Sequence, residues 1–323
     1  MANWRTTADL VDAVLHRCGE VTNGTSTYEP NALQYLNSVY RSIIAGGNEF
    51  DVDCGEPWIW AQATEPQLLK LVEPFAEGSV VLAKGNATAV LSNPPSYSLE
   101  GYFLSVDGFP EWYRITAHIA GQPTLTLDQE WLGASTTSAS FRVVRTDYQL
   151  AIPVTRLVGP LVCYRDNISV LGQAERGQIY EIDANTMSRK FPRMLLQAGV
   201  PDKFCVIAQD TDGRITVRFN SFPLEAMRVE VPYIPVVPDL TDSQDSIPLL
   251  PIGFRELLVY GASYYLMKDK NDNRAETEFQ LAQRKLQALI AHNRKSLSLA
   301  GSSYGRLIPR RTGEQRRYTY QGS

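Results

Sequence analysis

The sequence predicts an α+β protein: a helical bundle built from both chain ends, a large antiparallel β insertion that is a barrel or a sandwich, and an extended C-terminal tail. Three observations predict it. Apolar residues recur at helical spacing near both ends of the 323-residue chain. Between them, short apolar runs alternate with turn residues, as in antiparallel β proteins. The final stretch has no apolar periodicity and is rich in Arg, Gly, Ser and Tyr.

The apolar pattern of residues 1–61 predicts that they form the amino-terminal helices of the bundle. The first helix follows Thr6 and Thr7, either of which can accept a capping hydrogen bond. Pro30 suits the first turn of a second helix, and Gly46 suits its end. The two apolar stripes are Leu10, Val11, Val14 and Leu15, then Leu33, Leu36, Val39, Tyr40, Ile43 and Ile44. Each helix would bury one face, so we expect the two to pack together with a third element.

The segment after these helices contains Trp58 and Trp60, which follow Pro57. If it is extended, both indoles lie on one face, and we expect them to anchor the helices to the next part of the chain. Residues 62–247 then form the β-rich insertion, as one domain or as two with a break near residue 150. Its turn signals include Asp107-Gly108 and Asp212-Gly213.

The carboxy-terminal part resumes the helical pattern. A linker rich in proline and acids leads from Pro235 to Pro251. Residues 248–295 predict a helical hairpin that completes the bundle, with the polar run KDKND at its turn. The apolar residues are Phe254, Leu257, Leu258, Ala262, Tyr265 and Leu266, then Phe279, Ala282, Leu286, Leu289 and Ile290. Residues 296–323 follow as a basic extended tail.

The charge is unevenly distributed along the chain. Residues 294–323 carry seven Lys or Arg and one acid, while the whole chain has 31 basic and 35 acidic residues. The net charge of −4 therefore divides into +6 on this end and −10 on the rest. A basic arm favours an acidic partner surface, whereas an acidic body repels nucleic acid. A tail that only aids solubility would show the same composition.

The sequence contains little that supports catalysis, so we expect that the protein is not an enzyme and binds no cofactor. His16 lies two residues before Cys18, and a helix puts positions two apart on different faces, which disfavours a metal pair. His118 has no acid or cysteine at ligand spacing, and His118 and His292 are interpreted as surface or boundary histidines. No GxSxG, GxxxxGK[ST] or GxGxxG motif occurs. The acids Asp239, Asp242 and Asp245 could hold a divalent cation, but they lack the glycine and glutamate of an EF-hand loop, which favours a solvated linker. The hypothesis of a hydrolase has the least support.

The four cysteines are Cys18, Cys54, Cys163 and Cys205. Their wide separation predicts that they are reduced thiols. The chain begins without an apolar signal sequence, and no run approaches the roughly 20 apolar residues of a membrane span. We therefore expect a soluble intracellular product.

Several segments together resemble the head-to-tail adaptor (connector) proteins of tailed bacteriophages, in the group that includes tail tubular protein A. They are the amino-terminal helices, the link EPWIWA, the β insertion, and the helical hairpin with its tail. The most telling piece is the run RVEVPYIPVVPDLTDSQDSIPLLPIGFRELLVYGASYYL, in which a strand passes through prolines and acids into a helix of small residues. The resemblance spans most of the chain.

The resemblance implies a structural protein of the virion neck, made in the host cytoplasm and present as a ring of about twelve copies. The ring would bind the portal protein above and the tail tube or nozzle protein below. DNA would pass through the channel without sequence-specific binding, and no membrane would be involved. The carboxy-terminal extension would bind the portal through Arg306, Leu307, Ile308, Arg310, Arg311, Arg316, Arg317, Tyr318 and Tyr320.

A different class of function is a β-rich carbohydrate- or receptor-binding tail module. Trp112, Tyr113 and Trp131 are its candidate exposed aromatic residues. Aromatic faces at a protein surface commonly supply the contact area for such recognition. Glycan binding by the β region would favour this alternative.

Overall fold

A computed structural model describes residues 6–21, 26–53, 57–165, 177–191, 197–241 and 247–307, with the backbone alone for 165 and 296–307. The chain divides into two compact units. One contains Met1–Gln62 and Val237–Ser323, and the other contains Ala63–Val236. The sequence placed the end of the β insertion at residue 247. The β unit ends earlier because the segment after Val236 is hydrogen-bonded to a helix of the first unit, through Leu240 and Asn37.

The predicted α+β class with antiparallel sheets is confirmed. The helices are α1 (Thr7–Arg17), α2 (Glu29–Ala45), α3 (Ala184–Lys190), α4 (Glu256–Asp269) and α5 (Ala275–Leu307). The strands are β1 (Asn48–Glu49), β2 (Val52–Asp53), β3 (Gln67–Leu71), β4 (Val80–Leu82), β5 (Thr88–Leu91), β6 (Phe103–Val106), β7 (Trp112–His118), β8 (Thr124–Leu127), β9 (Thr136–Ala139), β10 (Phe141–Val144), β11 (Asp147–Gln149), β12 (Val154–Leu157), β13 (Leu161–Arg165), β14 (Gly177–Glu181), β15 (Lys203–Gln209), β16 (Ile215–Phe219), β17 (Met227–Val231) and β18 (Tyr233–Pro235).

Helix α1 begins where the sequence predicts. Thr6 and Asp9 form a reciprocal capping box, in which each side chain accepts a hydrogen bond from the other residue's backbone N–H. Helix α2 has Pro30 in its first turn and ends at Gly46, whose φ of 74° is the left-handed conformation that glycine adopts at low cost. The two predicted apolar stripes supply the buried faces of both helices.

In the first unit, α1 and α2 both pack on α4, and α4 packs on α5. Gly261 of α4 lies at a close approach to α2. A Cβ atom at this position would lie 2.7 Å from Phe50 Cζ and 2.9 Å from Val39 Cγ1 of α2. The missing side chain is therefore what allows α4 to approach α2 and the turn at Phe50.

Helix α5 differs from the prediction. Residues 296–323 were expected to be an extended tail, but the helix continues to Leu307. The first part of the predicted tail is therefore helical. Its residues Leu297, Leu299 and Ala300 are good helix formers, and a helix already nucleated by the preceding turns extends at little cost. Residues 308–323 lie outside the described part of the chain.

The β unit contains two seven-stranded sheets. The first has the order β10-β6-β7-β8-β5-β4-β9, with every pair antiparallel. Strands β9 and β10 lie at opposite ends of this order, yet only Ser140 separates them in the chain. The sheet must therefore curl until its end strands nearly meet, which makes it a nearly closed barrel. Its core includes Leu104, Tyr113, Leu125 and Trp131.

The second sheet has the order β11-β16-β15-β14-β13-β17-β3. Strand β3 precedes the first sheet in the chain but pairs with β17, so the barrel is inserted into this second sheet. The pair β14 and β15 is parallel, and the others in this sheet are antiparallel. A separate core, which includes Tyr148, Phe204 and Phe219, underlies this sheet.

Candidate functional site

Most of the residues predicted to bind the portal lie outside the described residues. They are Ile308, Arg310, Arg311, Arg316, Arg317, Tyr318 and Tyr320. Arg306 and Leu307 form the end of α5. The structure therefore describes the helix that leads to this segment. The portal contact itself remains a prediction from the sequence.

Two of the aromatic candidates for carbohydrate binding are buried, so the prediction that they are exposed is wrong. Tyr113 and Trp131 have no exposed surface, while Trp112 is half-buried. The indole of Trp131 contacts Phe109 and Tyr113, with ring centroids 4.7 Å and 5.1 Å away, and its Nε1 donates to the Ala134 carbonyl at 2.9 Å. Tyr113 points into the barrel core because β7 alternates between its two faces, and Trp131 joins the same core from the chain between β8 and β9.

The two tryptophans after α2 do not lie in a continuous extended segment, the condition under which their spacing would put both indoles on one face, because a 3₁₀ turn spans Ile59–Ala61. They still anchor the chain. The two indoles contact each other with centroids 5.4 Å apart, and the buried indole of Trp58 donates to the Ile43 carbonyl at the end of α2. Asn293 of α5 holds the same segment, because its side chain accepts from Ile59 N and donates to the Pro57 carbonyl, each at 3.1 Å.

The histidines form no catalytic or metal-binding group among the described residues. His16 and His292 are exposed, and the His292 ring contacts the Phe254 ring at a tilt, with centroids 5.3 Å apart. His118 was predicted at the surface or boundary but is buried. Its Nδ1 accepts a hydrogen bond from Leu99 N at 3.0 Å, and its Nε2 lies 2.9 Å from the Gln122 carbonyl. Both ring nitrogens therefore have backbone partners, which gives His118 a structural role.

Metal binding by the acidic linker gains no support from the described chain, which contains no group of three or more His, Cys, Asp or Glu side chains able to hold an ion. Asp239 is engaged instead with Arg41 of α2, whose guanidinium contacts both carboxylate oxygens. Asp242 and Asp245 lie outside the described residues. Within the described ranges, no helix has the length and apolar character that crossing a membrane requires.

The linker after the β unit is attached to α2 by a buried asparagine that the sequence did not single out. The Asn37 amide accepts from Leu240 N at 2.7 Å and donates to the Leu240 carbonyl at 2.9 Å. Tyr40 adds a second attachment, since its hydroxyl accepts from Leu249 N at 3.0 Å. A buried amide that satisfies both groups of one residue fixes the path of the linker. The only signal in the sequence was a polar residue within an otherwise apolar stripe.

A partly buried ion pair joins α1 to α5. Arg17 donates to Glu278 through Nε at 3.0 Å and Nη2 at 2.6 Å, and its guanidinium stacks 4.8 Å above the Tyr260 ring of α4. The hydrogen bond to Glu278 raises the pKa of Arg17. This arrangement gives α1 a defined position on α4 and α5, because a bidentate pair restricts both distance and angle.

Three of the cysteines are buried free thiols, and Cys54 lies outside the described residues. Burial raises the pKa of Cys18 to about 11 and that of Cys163 to about 11. It also raises the pKa of Cys205. A thiol must lose its proton to act as a nucleophile, so these groups are poorly suited to covalent catalysis.

We expect Cys18 and Cys163 to resist alkylation in the folded chain at pH 8. Raising a thiol pKa from 9.0 to about 11 lowers the thiolate fraction roughly a hundredfold at this pH, and burial restricts the reagent as well. Iodoacetamide treatment followed by peptide mass mapping measures the effect. The same treatment in concentrated urea is the control and should modify both. Rapid modification of either thiol in the folded chain would contradict the buried positions.

The described chain has a cavity of about 550 Å³ in the first unit, between the β1–β2 turn and helices α4 and α5. Its aromatic walls are Phe50, Tyr264, Tyr265 and Phe279. The rings contact one another at centroid distances of 5.0 to 6.5 Å. The Phe50 ring is held by its contact with Gly261 and by Tyr264, Tyr265 and Phe279, so these walls form a continuous aromatic surface.

Charged groups surround the aromatic walls of this cavity. Glu49, Asp51 and Glu276 supply three carboxylates, and Lys268 supplies one ammonium group. Glu49 accepts a hydrogen bond from the Tyr265 hydroxyl at 2.9 Å, and burial together with this bond raises the pKa of Tyr265. The cavity thus has an excess of negative charge beside aromatic faces, a combination that suits a cation.

A second cavity, of about 570 Å³, lies on the barrel. Its lining contains Glu100, Arg114, Thr116 and Asp128. The Asp128 carboxylate accepts from Arg114 N at 3.0 Å, so it is already used to hold two strands together. The residues that line it include no aromatic side chain, which removes the usual platform for a sugar ring.

Comparisons with protein-family models and with curated proteins find no match for this chain.

Proposed function

We propose that this protein is a head-to-tail adaptor of a tailed phage virion, which forms a ring under the portal and a platform for tail components around the DNA channel. The helices from both chain ends would form one bundle and make the wall of the ring. This is a structural role and includes no chemical step.

The observation that carries the proposal is the joining of the two chain ends. Helix α1 packs on α4, and Arg17 of α1 pairs with Glu278 of α5, 261 residues later in the chain. The β unit is consequently inserted between two halves of one unit, which is the layout of the adaptor proteins that the sequence resembles. A rigid wedge made from both ends suits a repeated ring subunit, because its sides keep a constant angle between neighbouring copies.

An exposed apolar segment supplies a candidate contact between copies. Ile247, Leu249 and Ile252 expose 59%, 48% and 61% of their surface, while Pro248 and Leu250 between them point inward. Arg255 fixes this segment by donating to the carbonyls of Pro248 and Leu250 at 3.1 Å each. Large apolar side chains held outward on a fixed backbone are typical of a surface that a partner covers.

Native mass spectrometry of the chain alone and mixed with the portal protein of its virus tests the proposal. We expect no closed ring from the chain alone and a closed ring on the portal. The variant Ile247→Ser/Ile252→Ser should lose the ring, because polar residues remove the apolar contact. The control Leu224→Ser changes a similarly exposed residue (68%) of the β unit and should assemble normally. A small oligomer that ignores the portal would contradict the adaptor role.

The segment after α5 is the proposed portal contact, through Arg306, Leu307, Ile308, Arg310, Arg311, Arg316, Arg317, Tyr318 and Tyr320. Deletion of residues 308–323 should prevent stable portal binding and leave the fold of both units intact, since these residues follow the last described helix. Each copy adds a modest contact, but a ring multiplies it through high effective concentration. Unchanged portal binding by this deletion would refute the portal contact without refuting the ring.

A further inference from the structure

We propose that the cavity between the β1–β2 turn, α4 and α5 binds an arginine side chain from residues 308–323 of a second copy of this chain. The inference does not depend on the adaptor role. If that role also holds, the portal and the cavity compete for the same arginines. In that case the arginine occupies the cavity before the chain meets the portal, and portal binding displaces it.

The aromatic walls of the cavity match the flat guanidinium group of arginine. Phe50, Tyr264, Tyr265 and Phe279 present ring faces and edges around one space. Tyr35 extends the surface by stacking on Tyr265 at 5.8 Å. A guanidinium stacks on such rings and is less strongly hydrated than an ammonium group, so it loses less on leaving water.

The charges at the cavity select a cation. Three carboxylates against one ammonium leave a net charge of −2 on the groups that line it. Glu49 has the Tyr265 hydroxyl as a donor, whereas Asp51 and Glu276 have no ion-pair partner among the described residues. Lys268 already demonstrates the preference, since its Nζ lies 5.4 Å from the Tyr264 ring centroid and 3.3 Å from the Tyr264 hydroxyl.

The backbone at the cavity is held in a costly conformation. Phe50 and Asp51 are consecutive residues with φ of 54° and 56°, in the left-handed region. Aspartate adopts this region more readily than most residues, but a bulky residue such as Phe50 rarely does. Backbone positions of this kind cluster at functional sites. Here the conformation carries Phe50 into the aromatic wall and places Asp51 at the rim. The side chain of Gln283 supports the turn by donating to the Phe50 carbonyl at 3.3 Å.

The occupant follows from charge and composition. Residues 308–323 contain Arg310, Arg311, Arg316 and Arg317 against one acid, Glu314, and also two tyrosines. No segment of this length outside this end of the chain has four arginines. The acidic cavity and the basic segment are therefore complementary parts of the same chain.

The length of α5 argues for a second copy as the donor. Phe279 and Leu307 are 28 residues apart on one helix, which separates them by roughly 42 Å. An extended chain from Leu307 to Arg316 spans at most about 32 Å, a shortfall of about 10 Å that exceeds an arginine side chain. Arg310 and Arg311 fall further short, and Arg317 would reach only at full extension. A second copy has no such restriction.

A fluorescent synthetic peptide of residues 308–323, titrated with the full chain and followed by anisotropy, tests this binding. We expect saturable binding that Asp51→Asn/Glu276→Gln weakens at least tenfold, because two carboxylates near the cation are neutralised. Asparagine also tolerates the left-handed backbone at position 51, so the variant keeps the turn. Lys268→Met removes the competing cation and should strengthen binding severalfold.

Two controls separate specific binding from general charge attraction. Glu100→Gln/Asp107→Asn removes two exposed acids of the β unit and should leave the affinity unchanged. A peptide with all four arginines replaced by lysine keeps the charge but should bind several times more weakly, since lysine does not stack as a plane. Equal affinities of the two peptides, equal effects of both acid pairs, or absence of saturable binding would each overturn the proposal.

Discussion

Trp131→Ala should lower the free energy of unfolding of the β unit by about 3–5 kcal/mol, the usual cost of deleting a buried tryptophan. The side chain has no exposed surface and packs between Phe109 and Tyr113. Its neighbour Gly133 packs tightly against the same rings, since a Cβ there would lie 2.4 Å from Phe109 Cε1 and 2.5 Å from Trp131 Cζ2. The variant would also lose the hydrogen bond from the indole to the Ala134 carbonyl. Urea unfolding followed by circular dichroism and by hydrogen exchange of β8 amides measures the loss.

Trp112→Ala is the matched control for this prediction. Trp112 precedes Tyr113 on β7 but is half-buried, so its removal should cost clearly less. The pair of variants also decides the carbohydrate-binding alternative. If Trp131→Ala kept full stability but abolished binding to a glycan, Trp131 would be a surface ligand and its position in the barrel core would be wrong.

Gly261→Ala should destabilise the first unit by about 2 kcal/mol, although helix propensity alone predicts the opposite sign. Replacing glycine by alanine inside a helix normally gains about 1 kcal/mol. In α4 the new methyl group would lie 2.7 Å from Phe50 Cζ and 2.9 Å from Val39 Cγ1. Val39 is β-branched and belongs to a buried helix face, so it has little freedom to move, and overpacking of this kind typically costs about 1–3 kcal/mol.

Thermal unfolding of Gly261→Ala, Val39→Ala and the double variant measures this effect as a thermodynamic cycle. Val39→Ala removes two methyl groups and leaves room for the methyl group that Gly261→Ala adds. The double variant should therefore lose less stability than the sum of the losses in the two single variants. Gly253→Ala is the control, because a Cβ at Gly253 meets nothing within 4 Å. A stabilised Gly261→Ala variant would show that α2 and α4 are not in close contact at this point.

Local patterns in the sequence were sufficient for several elements. The capping box at Thr6, the glycine end of α2 and the turn at Gly213 are decided by residues within four positions of each other, so spacing alone identifies them. The length of α5 was underestimated. Its last turns lack an apolar stripe, and apolar periodicity was the signal used to place its end.

Some features of the candidate sites can also be recognised in the sequence, and others cannot. The basic composition of residues 308–323 is visible in the sequence, as is the absence of local catalytic motifs. The cavity was not visible, because Glu49 and Asp51 come from a short turn while Lys268 and Glu276 lie more than 200 residues later. The exposure of Tyr113 and Trp131 was also misjudged. An aromatic residue in a short strand, such as Tyr113, has the same appearance on either face, and nothing near Trp131 in the chain shows that its side chain is buried.

By itself, the sequence determined the α+β class, the helices near both ends, the antiparallel strands between them and the uneven charge. These follow from interactions between neighbours in the chain, where 3.6- and 2-residue periodicities and turn residues act. Only the tertiary structure decided that the first sheet closes into a near-barrel, that Asn37 holds the linker, and that four aromatic rings and three carboxylates surround one cavity. Such features depend on which faces meet after folding, and contacts between distant residues leave no periodic trace in the order of the chain.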